Sequence, residues 1–564
     1  MRRRQGPRAP EGARRSGLKG RGVRSKSGLH LLGIALAALA LALLPALPAE
    51  FWGPISPSGP ALGSSGTVTA AVQPNIIVIQ TDDQDPASLT PQTMPNVLHD
   101  IAGKGTTFTD YIDSGPLCCP SRAVLLTGQY GHNNGVMWNH PAYADLREKD
   151  NTLPVWLQQA GYVTAHVGKY LNLYGRATGD PNQVAPGWDE WDTVLEPGGA
   201  DTSGVPVPYY DYVLRVNGHA VRYGSAPNDY LTNVLNNEAV ALLHRDLPGP
   251  RPLFMEVDQA APHTGANTNP RCHDTALPAP GDLHAFVDEP LRRAPSFDEA
   301  DVSDKPRFVQ IHPRLGPKAI SDLRRIQNCR LASLLAIDRG VGQIVNALAE
   351  EHQLANTAIF YTSDNGFLLG EHRLVGKIDP YEADLRVPFI VRLPQGFLGP
   401  EGAPPRLGNL VANVDIAPTI LSLAGARPCN GAGVCRVLDG RSLLPAIQSD
   451  GTNWPHDRAI PLELKTSRAN TPAMPCTYHG VQTPDQVLVV YDSVNLGNGC
   501  VPDHEIENYD LRSDPSELDN LYPAPSGSAE TQLQRSLRVE AAELSDCSGI
   551  AERDPEPPSG HYCR

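Results

Sequence analysis

From Pro74 onward the chain alternates two patterns. Short apolar, β-branched runs at Asn75–Thr81, Tyr162–Val167, Leu253–Val257, Ala358–Thr362 and Phe389–Leu393 predict buried strands. Helical spacing fits Ser121–Gly128, Leu153–Ala160, Thr232–Arg245, Arg330–Ala349 and Ile416–Ala424. In the fourth of these, Leu331, Leu334, Leu335, Ile337, Val341, Ile344, Val345 and Leu348 form one apolar stripe. Strands alternating with helices predict an α/β fold, a large, mixed, mostly parallel sheet sandwiched by helices, over residues 74–426. From residue 427 to 564 shorter strand-like pieces, such as Gln486–Tyr491, predict a smaller α+β domain with an antiparallel sheet. Residues 264–328 are Pro-rich with weak periodicity and read as a long excursion over the site. The last 40 residues are polar and read as loosely ordered, apart from the Cys547–Cys563 stretch.

The first 49 residues stand apart. Residues 1–27 carry ten Arg or Lys and one acid, Leu29–Leu44 is almost wholly apolar, and small residues and Pro follow. This is the build of an export signal, Sec or twin-arginine in type; an uncleaved anchor is the alternative and the chain's only route to a membrane. Glu50 to Gln73 reads as a Gly/Ser/Pro-rich linker. A net charge of −15 with no basic stripe in the body argues against nucleic acid as a partner. Ten cysteines fit an oxidising destination, secreted or cell-envelope. Setting aside Cys118 and Cys119, eight remain; pairing sequence neighbours gives four bridges, one of about 105 connectivities.

Four predicted strands end in polar clusters: Asp82-Asp83, Gly168-Lys169, Ala261-Pro262-His263 and Ser363-Asp364-Asn365-Gly366. In open α/β sheets, ligands bind outside the carboxyl ends of the strands, so these clusters converge if the strands are neighbours. Three aspartates and an asparagine make an oxygen set suited to Ca²⁺ or Mg²⁺. Taken singly, each pair is an ordinary turn sequence; their position after apolar strands is what marks them. Lys169, His263 and Lys377, with His372 nearby, add the cationic groups that a tetrahedral anion requires. In the run Cys118-Cys119-Pro120-Ser121-Arg122, Pro120 suits a first helical turn, which puts Cys118 at the N-terminus of a helix. Inert packing or a vicinal disulfide are the plainer readings of two adjacent cysteines.

The segment Cys118 to Gly128 resembles the sulfatase signature, Cys-x-Pro-Ser-Arg followed by a Leu-Thr-Gly run. Asn75 to Asp85, Gly168-Lys169-Tyr170-Leu171-Asn172, Ala261-Pro262-His263, Thr362 to Gly366, Tyr381-Glu382, Arg386 to Phe389, Tyr509-Asp510-Leu511 and Asp514-Pro515 extend the resemblance in the family's order. Thr81 to Asp85, the doubled cysteine and His132-Asn133-Asn134 are most similar to the N-acetylglucosamine-6-sulfatase branch. Two features depart: Leu171 stands where many arylsulfatases have histidine, and Leu369 to Leu374 resembles general bacterial sulfatases.

The resemblance implies an alkaline-phosphatase-like fold and hydrolysis of a sulfate monoester, with 6-O-sulfated N-acetylglucosamine of glycans as a candidate substrate. It implies Ca²⁺ held by Asp82, Asp83, Asp364 and Asn365, together with Cys118 once a formylglycine-generating enzyme has oxidised it to formylglycine (3-oxoalanine). Arg122 would orient the nucleophile, Lys169 and Lys377 would stabilise the sulfate oxygens, and His263, with His372 or Lys377 next, would protonate the leaving alcohol. The rivals are an arylsulfatase, a phosphodiesterase or phosphonate monoester hydrolase of the same superfamily, and a non-catalytic sulfated-glycan-binding protein.

Overall fold

The strand β1, Asn75–Thr81, is buried along its whole length, and its side chains feed two cores in alternation. Ile76 and Val78 enter one and Ile77 and Ile79 the other, as the period of two requires. The structure is a computed structural model describing residues 73–194, 208–247, 249–265, 267–467 and 472–564. The export-signal reading and all but the last linker residue lie outside the described residues.

Nine further strands join β1: β2 (Thr106–Phe108), β3 (Val163–Lys169), β4 (Glu190–Val194), β5 (Val213–Val216), β6 (His219–Arg222), β7 (Leu253–Asp258), β8 (Thr357–Ser363), β9 (Phe389–Arg392) and β10 (Arg406–Leu407). Their order is β10-β2-β9-β8-β1-β7-β3-β4-β5-β6. The central run β8-β1-β7-β3-β4 is parallel, and β9, β5 and β6 pair antiparallel at its flanks. One face is covered by α1 (Cys118–Thr127), α2 (Leu153–Gln159) and α5 (Ile416–Ala424), the other by α3 (Leu231–Asp246) and α4 (Pro317–Glu350). The expected mixed, mostly parallel sandwich is present.

The C-terminal region carries a separate antiparallel sheet of β11 (Ile460–Lys465), β12 (Met474–Gln482), β13 (Gln486–Asn495), β14 (Cys500–Pro502) and β15 (Ile506–Asp510). The reading of a loosely ordered tail is corrected here: Ala529–Leu544 is a helix, α6, capped by the Ser528 side chain, which accepts the Thr531 amide. Its buried Leu537, Ala541 and Leu544 share a core with Val481, Leu488 and Val489 of the sheet. Polar residues on its outer face hid that stripe. Helix α4 also begins earlier than its apolar stripe predicts, at Pro317 rather than Arg330, because its first turns lie near the surface and carry polar side chains. Four disulfides join Cys272–Cys329, Cys429–Cys435, Cys476–Cys500 and Cys547–Cys563, the neighbour pairing. Among the described residues, no helix is long and apolar enough to cross a membrane.

At the edge that matters, backbone closeness fixes the residue type. Gly168 has φ 119°, and a Cβ there would sit 1.9 Å from the Asp258 carbonyl oxygen. Gly168→Ala should lower the unfolding free energy by about 2–4 kcal/mol, the sum of a left-handed backbone penalty and overpacking. Urea denaturation read by fluorescence checks this; an unchanged midpoint would contradict it.

Candidate active site

The register of the parallel strands brings the polar clusters together. Gln80 pairs with Asp258, Thr81 with Ser363, and Gly168 with Asp258, so β1, β7, β8 and β3 finish on one edge. Asp82 and Asp83 leave β1 there, and Asp364 and Asn365 leave β8. The Asp364 amide donates to the Thr81 carbonyl at 3.1 Å, and the Asp83 amide to Asp364 Oδ1 at 3.1 Å. Asp83 is left-handed (φ 73°), a conformation that aspartate tolerates better than most residues. Asn365 Nδ2 donates to Asp83 Oδ1 at 2.8 Å, while its own Oδ1 is buried without a hydrogen-bond partner. A buried amide oxygen without a donor, beside three buried carboxylates, fits a hard divalent cation.

Cys118 is the first residue of α1, after Leu117 in extended conformation. Its Sγ lies 3.5 Å from Asp82 Oδ1 and 2.8 Å from Lys377 Nζ. Cys119 points the other way, into the core with Val78 and Leu126, and its amide donates to Asn139 Oδ1 at 2.9 Å. One turn on, Arg122 lies on the Cys118 side of the helix. Its Nε and Nη2 reach Asp364 Oδ2 at 2.9 and 2.8 Å, and Nη1 reaches Asp258 Oδ1 at 3.0 Å and the Lys169 carbonyl at 3.1 Å. Lys169 pairs with Asp82 and Lys377 with Asp83. His263 Nδ1 donates to the Thr264 carbonyl at 2.6 Å, which leaves Nε2 facing Asp83 Oδ2 at 3.9 Å.

The electrostatics follow from this packing. Burial would raise the Asp82 carboxyl, but Lys169, His263, Lys377 and Arg122 together hold it well below the usual carboxylate range. Asp83 is likewise lowered against burial, mainly by Lys377 and His263. Asp364 is pushed up to about 6 by burial and by Asp82. Burial, then Asp82, raises the Cys118 thiol to about 12. Burial lowers the His263 imidazole despite Asp82 and Asp83.

Nine of the ten predicted residues therefore meet: Asp82, Asp83, Cys118, Arg122, Lys169, His263, Asp364, Asn365 and Lys377. His372 has other partners. Its Nδ1 lies 2.7 Å from Glu299 Oε2, and its ring stacks on Tyr381 at 4.3 Å between centroids. Three residues around the site were missed by sequence reasoning: Asp258, Glu299 and Arg330. Arg330 donates to the Pro262 carbonyl at 3.1 Å and to the Asp83 carbonyl, tying α4 to two of the strand-end clusters. Asp258 carried a usable signal, as the polar residue that ends the strand Leu253–Asp258. Glu299 and Arg330 carried none.

Residues 74–426 match the family model described as Sulfatase, and residues 370–546 the one described as N-sulphoglucosamine sulphohydrolase, C-terminal. An N-acetylglucosamine-6-sulfatase of Capra hircus is 30% identical over 532 residues, covering 88% of each chain. An arylsulfatase of Volvox carteri is 31% identical over 531 residues, covering 88% of this chain and 78% of that one. A solved structure described as a complex with its substrate D-glucosamine-2-N,6-O-disulfate shares the fold, with TM-score 0.64 at 24% identity over 84% of this chain and 98% of that one. The chain belongs to the sulfatase family and is a sulfuric ester hydrolase.

Proposed function

We propose that the protein cleaves a sulfate monoester of a glycan, with 6-O-sulfated N-acetylglucosamine as the first candidate. Residue 118 acts as formylglycine beside a divalent cation, Ca²⁺ in the first instance. The observation that carries this reading is the position of Cys118, at a helix N-terminus between Asp82 and Lys377.

When present, the hydrated aldehyde supplies the attacking oxygen and the cation supplies Lewis-acid charge at the sulfate. Asp82, Asp83, Asp364 and Asn365 would hold the cation. The remaining work falls to side chains already in place. Arg122, fixed by Asp364 and Asp258, orients the nucleophile. Lys169 and Lys377 bring positive charge to the sulfate oxygens. His263 offers Nε2 towards the site, and an arriving anion would raise its proton affinity, suiting it to protonate the leaving alcohol. An export route is supported by the four disulfides.

Mass spectrometry of the peptide containing residue 118 should find the aldehyde, and Cys118→Ala should lower kcat by roughly 10³-fold or more, as loss of a nucleophile does. Fully active protein carrying only the thiol would overturn the mechanism. Chelation should lower the unfolding free energy, and Ca²⁺ at a hundredfold excess over its Kd should restore about 2.7 kcal/mol. Asn365→Ala should abolish most of that calorimetric shift, and an equal shift in the variant would remove these ligands from consideration. In a desulfation screen, 6-sulfated glucosamine and heparan fragments should turn over faster than aryl sulfates, and aryl phosphate slowest. The reverse order would reassign the substrate.

A further inference from the structure

Behind Arg122 lies a second buried polar group, on the sheet face that α1 covers. In the register of β3 and β7, His166 pairs with Glu256 and Gly168 with Asp258, so both acids project on the face of their neighbour Phe254, which packs in the α1 core. His166, Glu256 and Asp258 are all buried. Polar groups on such a face are costly unless they are partnered. The His166 ring is boxed by Tyr170, Trp188 and Trp191, with centroids 5.2, 5.4 and 5.0 Å away. Its Nδ1 lies 2.7 Å from Thr193 Oγ1, and its Nε2 lies 3.0 Å from Asp258 Oδ2, within ion-pair distance though outside hydrogen-bond geometry. The other Asp258 oxygen, Oδ1, takes Arg122 Nη1 at 3.0 Å.

We propose that Asp258, held from behind by His166 and Thr193, is a positioning residue for Arg122. The guanidinium is gripped on two edges. Asp364 Oδ2 accepts Nε at 2.9 Å and lies 2.8 Å from Nη2 as an ion pair, while Asp258 accepts Nη1. One carboxylate alone would leave the planar group free to pivot about that edge, whereas two fix its plane. A pivot would carry Nη2 away from Asp82 Oδ2, now 3.7 Å distant, and so away from the Cys118 end of the site. It would also release the Lys169 carbonyl, which shares Nη1 with Asp258. Burial, with Asp258 beside it, raises the Glu256 carboxyl well above the usual range, which disfavours its competing for Arg122 as an anion. The chain from Thr193 through His166 and Asp258 thus transmits the rigidity of the sheet to a helix-borne arginine.

This inference rests on the proposal that Arg122 acts at residue 118, so aldehyde content at that residue is measured for every protein. Asp258→Asn keeps the shape and one acceptor but removes the charge. Its kcat should fall by about 10- to 100-fold, the usual cost of losing a supporting partner. KM should stay within about threefold, since binding common to ground and transition states is untouched. His166→Gln should lose less, and the double variant should be no worse than Asp258→Asn alone, the coupling expected of residues acting in series. Thr193→Val removes only the hydroxyl, so it decides the matter if Asp258→Asn yields no soluble protein; its kcat should drop several-fold with Tm unchanged. An unchanged kcat in Asp258→Asn, or in Thr193→Val if that variant decides, would overturn the proposal. So would strictly additive losses in the double variant. The three side chains lie close enough for a cation, with ligand atoms within 4.8 Å of one another. A second metal ion per chain that disappears in His166→Gln would make this a metal site and also overturn the proposal. Absence of aldehyde from fully active wild-type protein would instead sink the formylglycine reading.

Discussion

The structure depends on a buried balance of charge at one edge of the central sheet. Asp82, Asp83 and Asp364 set three carboxylates side by side, away from water, and Arg122, Lys169 and Lys377 set three cations among them. Removing any one of them would leave an uncompensated charge in this buried network, which is far more costly than losing an exposed pair. With Asp258, which also pairs with Arg122, counted among the acids, adding a divalent cation would leave this group with one net positive charge, the sign that attracts an anionic ester. The same side chains thus hold the fold's edge together and set the sign of what enters it. This also explains how a chain with a net charge of −15 accommodates a sulfated substrate: the local excess opposes the global one.

Helix α1 is the pivot of that arrangement. Its two cysteines face opposite ways because adjacent helical positions differ by about 100°. Cys119 anchors the helix in the core while Cys118 is presented to the charges. Arg122, one turn later, returns to the same side and reaches strand ends that are far apart in sequence. The C-terminal sheet extends the support. Glu507 on β15 accepts the Tyr381 hydroxyl at 2.9 Å, and Tyr381 carries His372 on its ring. Lys377 lies four residues before Tyr381, and Ile378 between them adopts φ 88°, an unusual strain for a β-branched residue. His372, which sequence reasoning offered as an acid, is in this arrangement a strut of the loop that bears Lys377.

Much of this was legible in the sequence because the central strands are buried on both faces. Asn75–Thr81 and Ile416–Ala424 read as they are, since continuous apolar or strictly periodic runs have one structural solution. The strands Val213–Val216 and His219–Arg222 went unread because they form the sheet's exposed flank, where the pattern of burial disappears. The oxygen set, the cysteine and the lysines were legible because strand-end chemistry is local. The partners that orient them were not. Asp258, Glu299 and Arg330 act through contacts 136, 73 and 247 residues apart, and no local spacing encodes such distances.

Cys118 is 1% exposed, closed in by the Asp82 carboxylate and the Lys377 ammonium, whose partners arrive from strands and loops as late as residue 377. A side chain so enclosed is out of reach of the active site of another protein. Any enzyme that alters this side chain must therefore meet it as an extended segment, before α1 docks and before the later third of the chain has folded over it. Under the proposed modification, the order of events during synthesis would be part of the chemistry: a molecule that folds first would be sealed with its thiol unaltered and have no later chance to become competent.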